Sequence, residues 1–374
     1  MSWPAAVVRR SGIVCTDVRR VFSPCLLVAS LVATTGCSHG RVPPAPLPFP
    51  YPHEHGLAAA GRLQKTVQAL VDAGTNLERF QAARRRVSDY GLTRGAWVEP
   101  IDWWTFQDNL VIDLPGKSPE LVYVIAHYDR SDASPLAFLG HLTNGLADPL
   151  VDWATLSDGA IDNATGVAVA LEIAAALRKI GLERSYRVLL TGASESGLRG
   201  ARAHVARMSD DDFGRLALAI ELHAIGADWS RTCVLGDVSD RRAAKEAIVS
   251  ARNLGMSLHE GESAPLTAGD YEPFASTSFG RDLGRGLLYS GPLGILPQRS
   301  WFTDAREVPV LVVSSCQLMD GADYAARMCL FPSGRYHGAG DAAERVDIVR
   351  LYELTVVLLD TLAVLESQAR AETK

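Results

Sequence analysis

Apolar and polar positions alternate along the chain with two periods, one typical of helices and one typical of strands. Apolar residues recur every three to four positions in several long stretches, which is the spacing of amphipathic helices. Short unbroken apolar runs lie between them and are typical of strands buried on both faces. The pattern predicts helices over 57–71, 76–87, 167–179, 198–208 and 348–365, and strands over 96–98, 109–114, 121–126, 186–191, 216–222 and 308–313.

The order of these elements predicts the fold class. Strands that alternate with helices build an α/β fold, in which helices cover a sheet from both sides. We therefore expect a mixed, mostly parallel central sheet flanked by helices on both faces, formed by one domain over about 57–368. The 374 residues, of which 47% are hydrophobic, are enough for a core of that size.

The stretch 159–166 interrupts the regular pattern. It is a turn bounded by Gly159 and Gly166, and it leads directly into the alanine-rich helix predicted over 167–179. Asp162 lies inside the turn, so its carboxylate is placed at the start of that helix. A carboxylate in this position can bind a cation with both of its oxygens.

The first 37 residues have the features of an export signal. A basic pair, Arg19-Arg20, precedes an apolar run over 25–36 that is too short to span a bilayer as a mature helix. The run ends in a segment, 33–37, that resembles a bacterial lipoprotein signal, in which Cys37 would carry the lipid. We expect a protein of the bacterial cell envelope, secreted or held to the membrane through Cys37; a disordered leader is the alternative.

A proline-rich segment over 38–56 follows the leader. Its alternate prolines favour an extended polyproline II tether over a packed structure. The domain over 57–368 would then be held away from a membrane surface.

Charge and cysteine content narrow the classes of partner and site. The net charge of -6 argues against a nucleic-acid partner, and the short basic run at 84–86 is typical of a solvated helix face. No C-x-x-C pair is present, which argues against a zinc ribbon. If Cys37 is lipidated, the later cysteines allow at most one disulfide and one free thiol; these are Cys233, Cys316 and Cys329.

Polar side chains of the metal-binding types follow three of the predicted strands. His127 and Asp129 follow the strand over 121–126, and Glu195 and His223 follow two later ones. Sites in open α/β sheets form beyond the carboxyl ends of strands, so we expect these groups to lie close together. The loop 130–158, which starts at the same edge, is long enough to act as a lid.

Two further residues complete the candidate site. Asp162 lies in its turn, and His337 comes from a late loop. Histidines combined with carboxylates suit Zn²⁺ or a related first-row metal, and we expect one or two ions. Asp129 can accept the second ring N–H of His127 and fix the orientation of that ring. Each residue alone is weak evidence, because a histidine after a buried strand is more often structural; the recurrence at one structural position carries the prediction.

With these residues in place, the chain resembles the zinc-dependent exopeptidases of the bacterial leucyl aminopeptidase and aminopeptidase Y type. The resemblance spans about 105–365 and is strongest over 124–129, 159–177 and 189–205. It implies two zinc ions and a peptide or amino-acid amide substrate. The matched motifs imply that His127 is the first histidine ligand, Asp162 the bridging carboxylate, Glu195 a metal ligand and His337 the last histidine.

Three positions depart from the pattern of that family. Ser194 stands where the family has the glutamate that acts as general base. His223 replaces an aspartate ligand. Histidine can also bind zinc, and related amidohydrolases with Glu-Leu-His segments use a histidine at this position. Ile161 replaces the aspartate that usually precedes the bridging Asp162.

These departures leave three functions open. The first is a metal-dependent hydrolase of the aminopeptidase type, slowed by the loss of the base or helped by another group. The second is a catalytically impaired, metal-binding lipoprotein that works by recognition. The third is a serine hydrolase in which Ser194, at a near match to a nucleophile elbow, would work with His337 and with Asp304 or Asp320; it leaves His127, Asp162 and His223 unexplained.

Overall fold

The computed structural model describes residues 53–102, 105, 107–130, 157–262, 269–275, 308–316 and 337–372. The predicted leader, Cys37 and most of the proline-rich tether lie outside the described residues. The same holds for nearly all of the predicted lid loop and for Cys329, Asp304 and Asp320.

A central sheet of eight strands organises the described residues. The strands are β1 (Ala96–Pro100), β2 (Asp108–Leu114), β3 (Leu121–His127), β4 (Ser185–Thr191), β5 (Leu216–His223), β6 (Thr232–Leu235), β7 (His259–Gly261) and β8 (Val310–Ser315). Their order across the sheet is β1-β2-β4-β3-β5-β8-β6-β7. The four central strands β4, β3, β5 and β8 are parallel. On one side, β2 pairs antiparallel with β4 and β1 with β2; on the other, β6 pairs antiparallel with β8 and parallel with the edge strand β7.

Helices cover both faces of this sheet. They are α1 (His53–Val71), α2 (Asn76–Asp89), α3 (Thr165–Leu177), α4 (Arg199–Arg207), α5 (Asp210–Gly214), α6 (Arg241–Leu254) and α7 (Ile348–Glu372). Alternate side chains of each central strand point to opposite faces, because the side-chain period of a strand is two residues. The predicted α/β fold, with its mixed sheet and two helical layers, is confirmed.

The larger core lies on the face covered by α1, α2, α3, α6 and α7. There Val124 of β3 and Ile220 of β5 pack against the apolar side chains of α3 and α7. Helix α3 is buried on every side, which explains why its alanines and valines show so little amphipathic pattern. The stretch Ala160–Leu177 is the one described segment that is long and apolar enough to cross a membrane, and it is wholly buried in this core.

The smaller core lies on the opposite face. Tyr123 and Ile125 of β3 pack there with Val205 of α4 and with Phe274. The same face carries His127, Glu221 and His223 further along the strands, because residues two apart on a strand share a face. This face therefore leads from an apolar core directly into the polar groups at the strand ends.

The region between β5 and β8 contains elements that the hydrophobic pattern did not predict. Strand β6, helix α6 and strand β7 extend the sheet beyond β8. A disulfide joins Cys233 of β6 to Cys316, the residue that follows β8. The pairing agrees with the expectation of at most one disulfide among the later cysteines.

Candidate metal centre

The parallel register of the central strands brings the predicted groups to one edge of the sheet. His127 lies opposite Thr191 at the end of β4, and His223 lies opposite Ser314 at the end of β8. Glu195 follows β4 in the turn that leads to α4. These strand ends are neighbours because β3 pairs with both β4 and β5.

The turn that holds Asp162, Ala160–Ala164, directly precedes α3, and its backbone angles are not helical at Asp162 and Asn163. Asp341 fixes this turn, since its Oδ1 accepts hydrogen bonds from the backbone N–H groups of Ile161 (2.6 Å) and Asp162 (3.2 Å). Asn163 ties the turn to β5: its side chain donates to the Leu222 carbonyl at 2.7 Å and accepts from the Ala224 N–H at 3.2 Å. Asp162 is thereby held beside the end of β5.

Three imidazoles surround the Asp162 carboxylate. Oδ1 lies 3.0 Å from Nε2 of His127 and 3.3 Å from Nε2 of His223. Oδ2 lies 2.6 Å from Nε2 of His337, and that nitrogen lies 3.2 Å from Oε1 of Glu195. All five side chains are buried or nearly so. The structure therefore brings together all five residues that the sequence predicted as ligands.

The five side chains form two groups that share one member. His127, Asp162 and His223 offer ligand atoms within 4.8 Å of one another, and so do Asp162, Glu195 and His337. Zinc binds nitrogen and oxygen ligands at about 2.0–2.2 Å, so two atoms bound to one tetrahedral ion lie about 3.3 Å apart. The observed separations and the buried nitrogen and oxygen donors fit two such ions, with Asp162 contributing to both groups.

The buried histidines and carboxylates of the site shift one another's pKa values. Burial alone would lower the pKa of His127, but the neighbouring Asp162 and Asp129 carboxylates raise it well above its ordinary value. Burial lowers the pKa of His337 as well, yet Glu195 and Asp162 raise it to about 9. Burial would raise the pKa of Asp162, and the facing histidines hold it well below its usual range. Without a metal, the site thus favours ionised carboxylates that face protonated imidazoles, and a bound metal ion would take the place of those protons.

Strained backbone is concentrated around the site. Among the described residues, positive φ angles outside glycine occur at Ala193 (51°), Leu198 (60°), Ala224 (49°) and His337 (57°). Ala193 precedes the Ser194-Glu195 pair, Ala224 follows His223, and His337 is itself a candidate ligand. A positive φ is energetically unfavourable for residues other than glycine, and residues with such backbone angles cluster at functional sites.

Asp129 interacts with His127 differently from the expectation. Nδ1 of His127 lies 3.1 Å from the backbone carbonyl of Asp129 and 3.5 Å from its carboxylate oxygen Oδ1. The other carboxylate oxygen accepts a hydrogen bond from the backbone N–H of Glu195 at 3.0 Å. Asp129 therefore links the ends of β3 and β4 and fixes the His127 ring chiefly through its main chain.

Ser194 lies half-buried between Ala193 and Glu195. His337 contacts both Asp162 and Glu195, which are the two carboxylates of one candidate ligand group. Because its Nε2 lies within reach of both carboxylates, this geometry fits the metal-binding hypothesis.

Three buried acidic residues near the site were not predicted. They are Glu221 and Asp270, on the His127 side of the sheet, and Asp341 beneath Ile161. Burial and the adjacent Asp270 raise the pKa of Glu221 to about 7, and burial with Asp162 raises the pKa of Asp341 to about 6. Glu221 precedes His223 by two residues and lies on the same strand face. The two-residue period of a strand could therefore have predicted Glu221 as a neighbour of the site.

Comparisons with known proteins identify a matching family and similar relatives for part of this chain. Residues 109–279 match Peptidase family M28, and this segment carries every candidate ligand except His337. Aminopeptidase YwaD of Bacillus subtilis is 29% identical over 119 residues, which are 32% of this chain. The matched stretch is 21% of the length of YwaD, so the similarity covers only a part of that relative.

Solved structures share the fold over most of the chain. Glutaminyl cyclase of an Acidobacteriales bacterium superposes with a TM-score of 0.56 at 14% identity, covering 87% of this chain and 97% of its own. LapA aminopeptidase of Legionella pneumophila superposes with a TM-score of 0.54 at 14% identity, covering 85% and 76%. Identities this low show the fold alone, and they agree with the mixed sheet described above.

Proposed function

We propose that this protein is a metal-dependent hydrolase of the aminopeptidase type, which binds one or two zinc ions and cleaves a peptide or amino-acid amide bond. One observation carries the proposal: the buried Asp162 faces three imidazoles and belongs to both candidate ligand groups. The segment that matches Peptidase family M28 and the similarity to an aminopeptidase support the reaction class.

The chain's own residues have distinct tasks in this proposal. His127, His223 and Asp162 would hold one ion, and Asp162, Glu195 and His337 the other. When bound, zinc ions polarise a substrate carbonyl and activate water at neutral pH. Asp129, Asn163 and Asp341 keep these side chains in position through backbone hydrogen bonds. The smaller core beneath them keeps water away from one side of the site.

We also propose that the protein works in the cell envelope, secreted or anchored through a lipid on Cys37. The disulfide between Cys233 and Cys316 supports this location, because disulfides persist mainly in oxidising compartments outside the cytosol.

The function is tested by metal analysis together with a panel of aminoacyl-nitroanilides and amino-acid amides. We expect bound zinc, hydrolysis that a chelator abolishes, and recovery when zinc is returned. His337→Ala should lose activity because it removes a ligand; His259→Ala, on β7, is the matched control and should retain it.

Other results point to the alternative functions. Zinc-loaded protein that cleaves no member of the panel would favour the impaired, metal-binding lipoprotein. Labelling of Ser194 by a fluorophosphonate, with activity that ignores the chelator, would favour the serine hydrolase.

A further inference from the structure

The candidate ligand Glu195 lies in a closed turn whose two ends meet at glycines. The turn covers 192–200 and runs from the end of β4 into the first residues of α4. The backbone N–H of Gly200 donates to the Gly192 carbonyl at 3.1 Å, and a Cβ on Gly200 would lie 2.3 Å from that carbonyl oxygen. The two ends of the turn can therefore approach this closely only because residue 200 is a glycine.

The backbone inside this turn is strained on both sides of Glu195. Ala193 and Leu198 both have positive φ angles, at 51° and 60°. Such angles are unfavourable for residues with a side chain, and they persist only where the surrounding structure imposes them. The contacts that hold the turn closed therefore help to keep Glu195 where its Oε1 lies 3.2 Å from Nε2 of His337.

Asn109 of β2 holds both ends of the turn. Strand β2 pairs antiparallel with β4, so the start of β2 lies beside the end of β4, where the turn begins. Oδ1 of Asn109 accepts a hydrogen bond from the Gly192 N–H at 3.2 Å, and its Nδ2 donates to the Gly200 carbonyl at 2.9 Å. Asn109 is fully buried, so its removal would leave these backbone groups without a partner.

Two more buried side chains act on the same turn. Gln107, two residues before Asn109, accepts a hydrogen bond from the Ala193 N–H at 2.9 Å through its Oε1. Glu99 of β1 accepts a second hydrogen bond from Nδ2 of Asn109 at 2.8 Å, and the same oxygen lies 2.9 Å from Nδ1 of His204 in α4. Because both hydrogens of the Asn109 amide are used in this way, its oxygen faces the turn.

We propose that Asn109 and Gln107 are positioning residues of the metal centre, which act by holding the strained turn closed around Glu195. This inference rests on the proposed function. Of the five candidate ligands, Glu195 alone lies in the turn, and it belongs to only one of the two candidate groups. A positioning role therefore predicts an effect on that group alone, whereas a general loss of stability would affect both groups.

Zinc affinity in two single-group backgrounds tests this role. His223→Ala disrupts the group without Glu195 and leaves the other intact, and Glu195→Ala does the reverse. We expect Asn109→Ala to raise the Kd for zinc about 10-fold in the His223→Ala background, the lower end for residues that support metal ligands. The Kd in the Glu195→Ala background should not change. Competition with a chromophoric chelator measures both values.

A milder variant covers the case in which Asn109→Ala does not fold. Gln107→Ala removes a single hydrogen bond to the turn, so it should raise the Kd in the same background by a smaller factor. Tyr186→Phe is the matched control, because it removes a buried hydrogen bond to Glu366 (2.7 Å) at the start of β4, away from the turn. It should leave the Kd unchanged in both backgrounds.

The outcomes separate this inference from the proposed function. The positioning role is wrong if Asn109→Ala and Gln107→Ala leave the Kd unchanged in the His223→Ala background, if they weaken both backgrounds equally, or if His223→Ala binds no zinc. The hydrolase then still stands on the zinc-dependent activity of the wild type. A wild type that binds zinc but cleaves no substrate would refute the hydrolase, while a selective loss of zinc affinity in Asn109→Ala would still support the positioning role.

Discussion

Asp162 has the central place in the site because each of its oxygens faces a different set of ligand atoms. Oδ1 faces His127 and His223, whereas Oδ2 faces His337. A buried carboxylate in such surroundings is kept ionised by the imidazoles, which hold its pKa well below the usual range against the effect of burial. Loss of its charge would therefore affect both candidate ligand groups at once.

This geometry predicts different zinc stoichiometries for two single variants. Asp162→Asn should bind no zinc tightly, because both groups lose a charged ligand. His223→Ala should retain one ion, held by Asp162, Glu195 and His337, which it leaves intact. Zinc content per chain after dialysis measures the difference, with His259→Ala as the control. Equal loss of zinc in the two variants would contradict two separate groups with a shared carboxylate.

The side chains at the strand ends could be predicted from the sequence, and those that support them could not. His127 and His223 follow apolar runs that are recognisable as buried strands, so their place in an α/β sheet follows from the pattern. Asp341 and Asp270 come from irregular segments with no periodic signal. Their proximity to Ile161 and Thr191 depends on tertiary contacts of chain segments far apart in sequence.

At the scale of elements, α2 is joined to the site by one buried side chain. The Arg79 guanidinium donates hydrogen bonds to four backbone carbonyls, at distances of 2.5–3.0 Å; they belong to Leu70, Tyr128, Asp158 and Gly159. The Tyr128 carbonyl follows His127, and the Gly159 carbonyl begins the turn that holds Asp162. Arg79 thus connects the end of β3 to the start of the turn.

We expect Arg79→Met to lower the free energy of unfolding by about 3 kcal/mol, because it leaves buried carbonyls without their donor. Urea unfolding of the purified protein measures this. Arg85→Met, on the exposed side of the same helix, is the matched control and should change the stability little. A similar small loss in both variants would show that water replaces the guanidinium and that Arg79 has no structural role.

The central strands could be predicted from the sequence, whereas the short strands β6 and β7 could not. The central strands are fully buried, as the seven buried residues of β3 show, so their apolar runs are unbroken. Strands β6 and β7 have four and three residues and lie towards the edge of the sheet. Runs this short carry too little pattern to be distinguished from loops.

At the scale of the whole molecule, the disulfide joins parts of the chain that are distant in sequence. Cys233 and Cys316 are 83 residues apart, and between them lie α6, β7 and the segment that carries Asp270. A cross-link over so long a loop restricts the unfolded chain strongly, which stabilises the folded state in the chain-entropy account. It also holds β6 beside β8, where the two strands pair antiparallel.

The contribution of this disulfide to stability is measured by comparing proteins with and without it. Removing both cysteines, Cys233→Ala with Cys316→Ala, should lower the free energy of unfolding by about 2–4 kcal/mol, the range typical of native disulfides. A reductant should destabilise the wild type by a similar amount and should leave the double variant unchanged, which controls for other effects of the reductant. Urea unfolding at equilibrium, with zinc at a fixed concentration, gives the comparison, since bound metal also adds to stability. A wild type that unfolds identically with and without reductant would mean that the bond does not form in the native protein, and the support it lends to a place in the cell envelope would be lost.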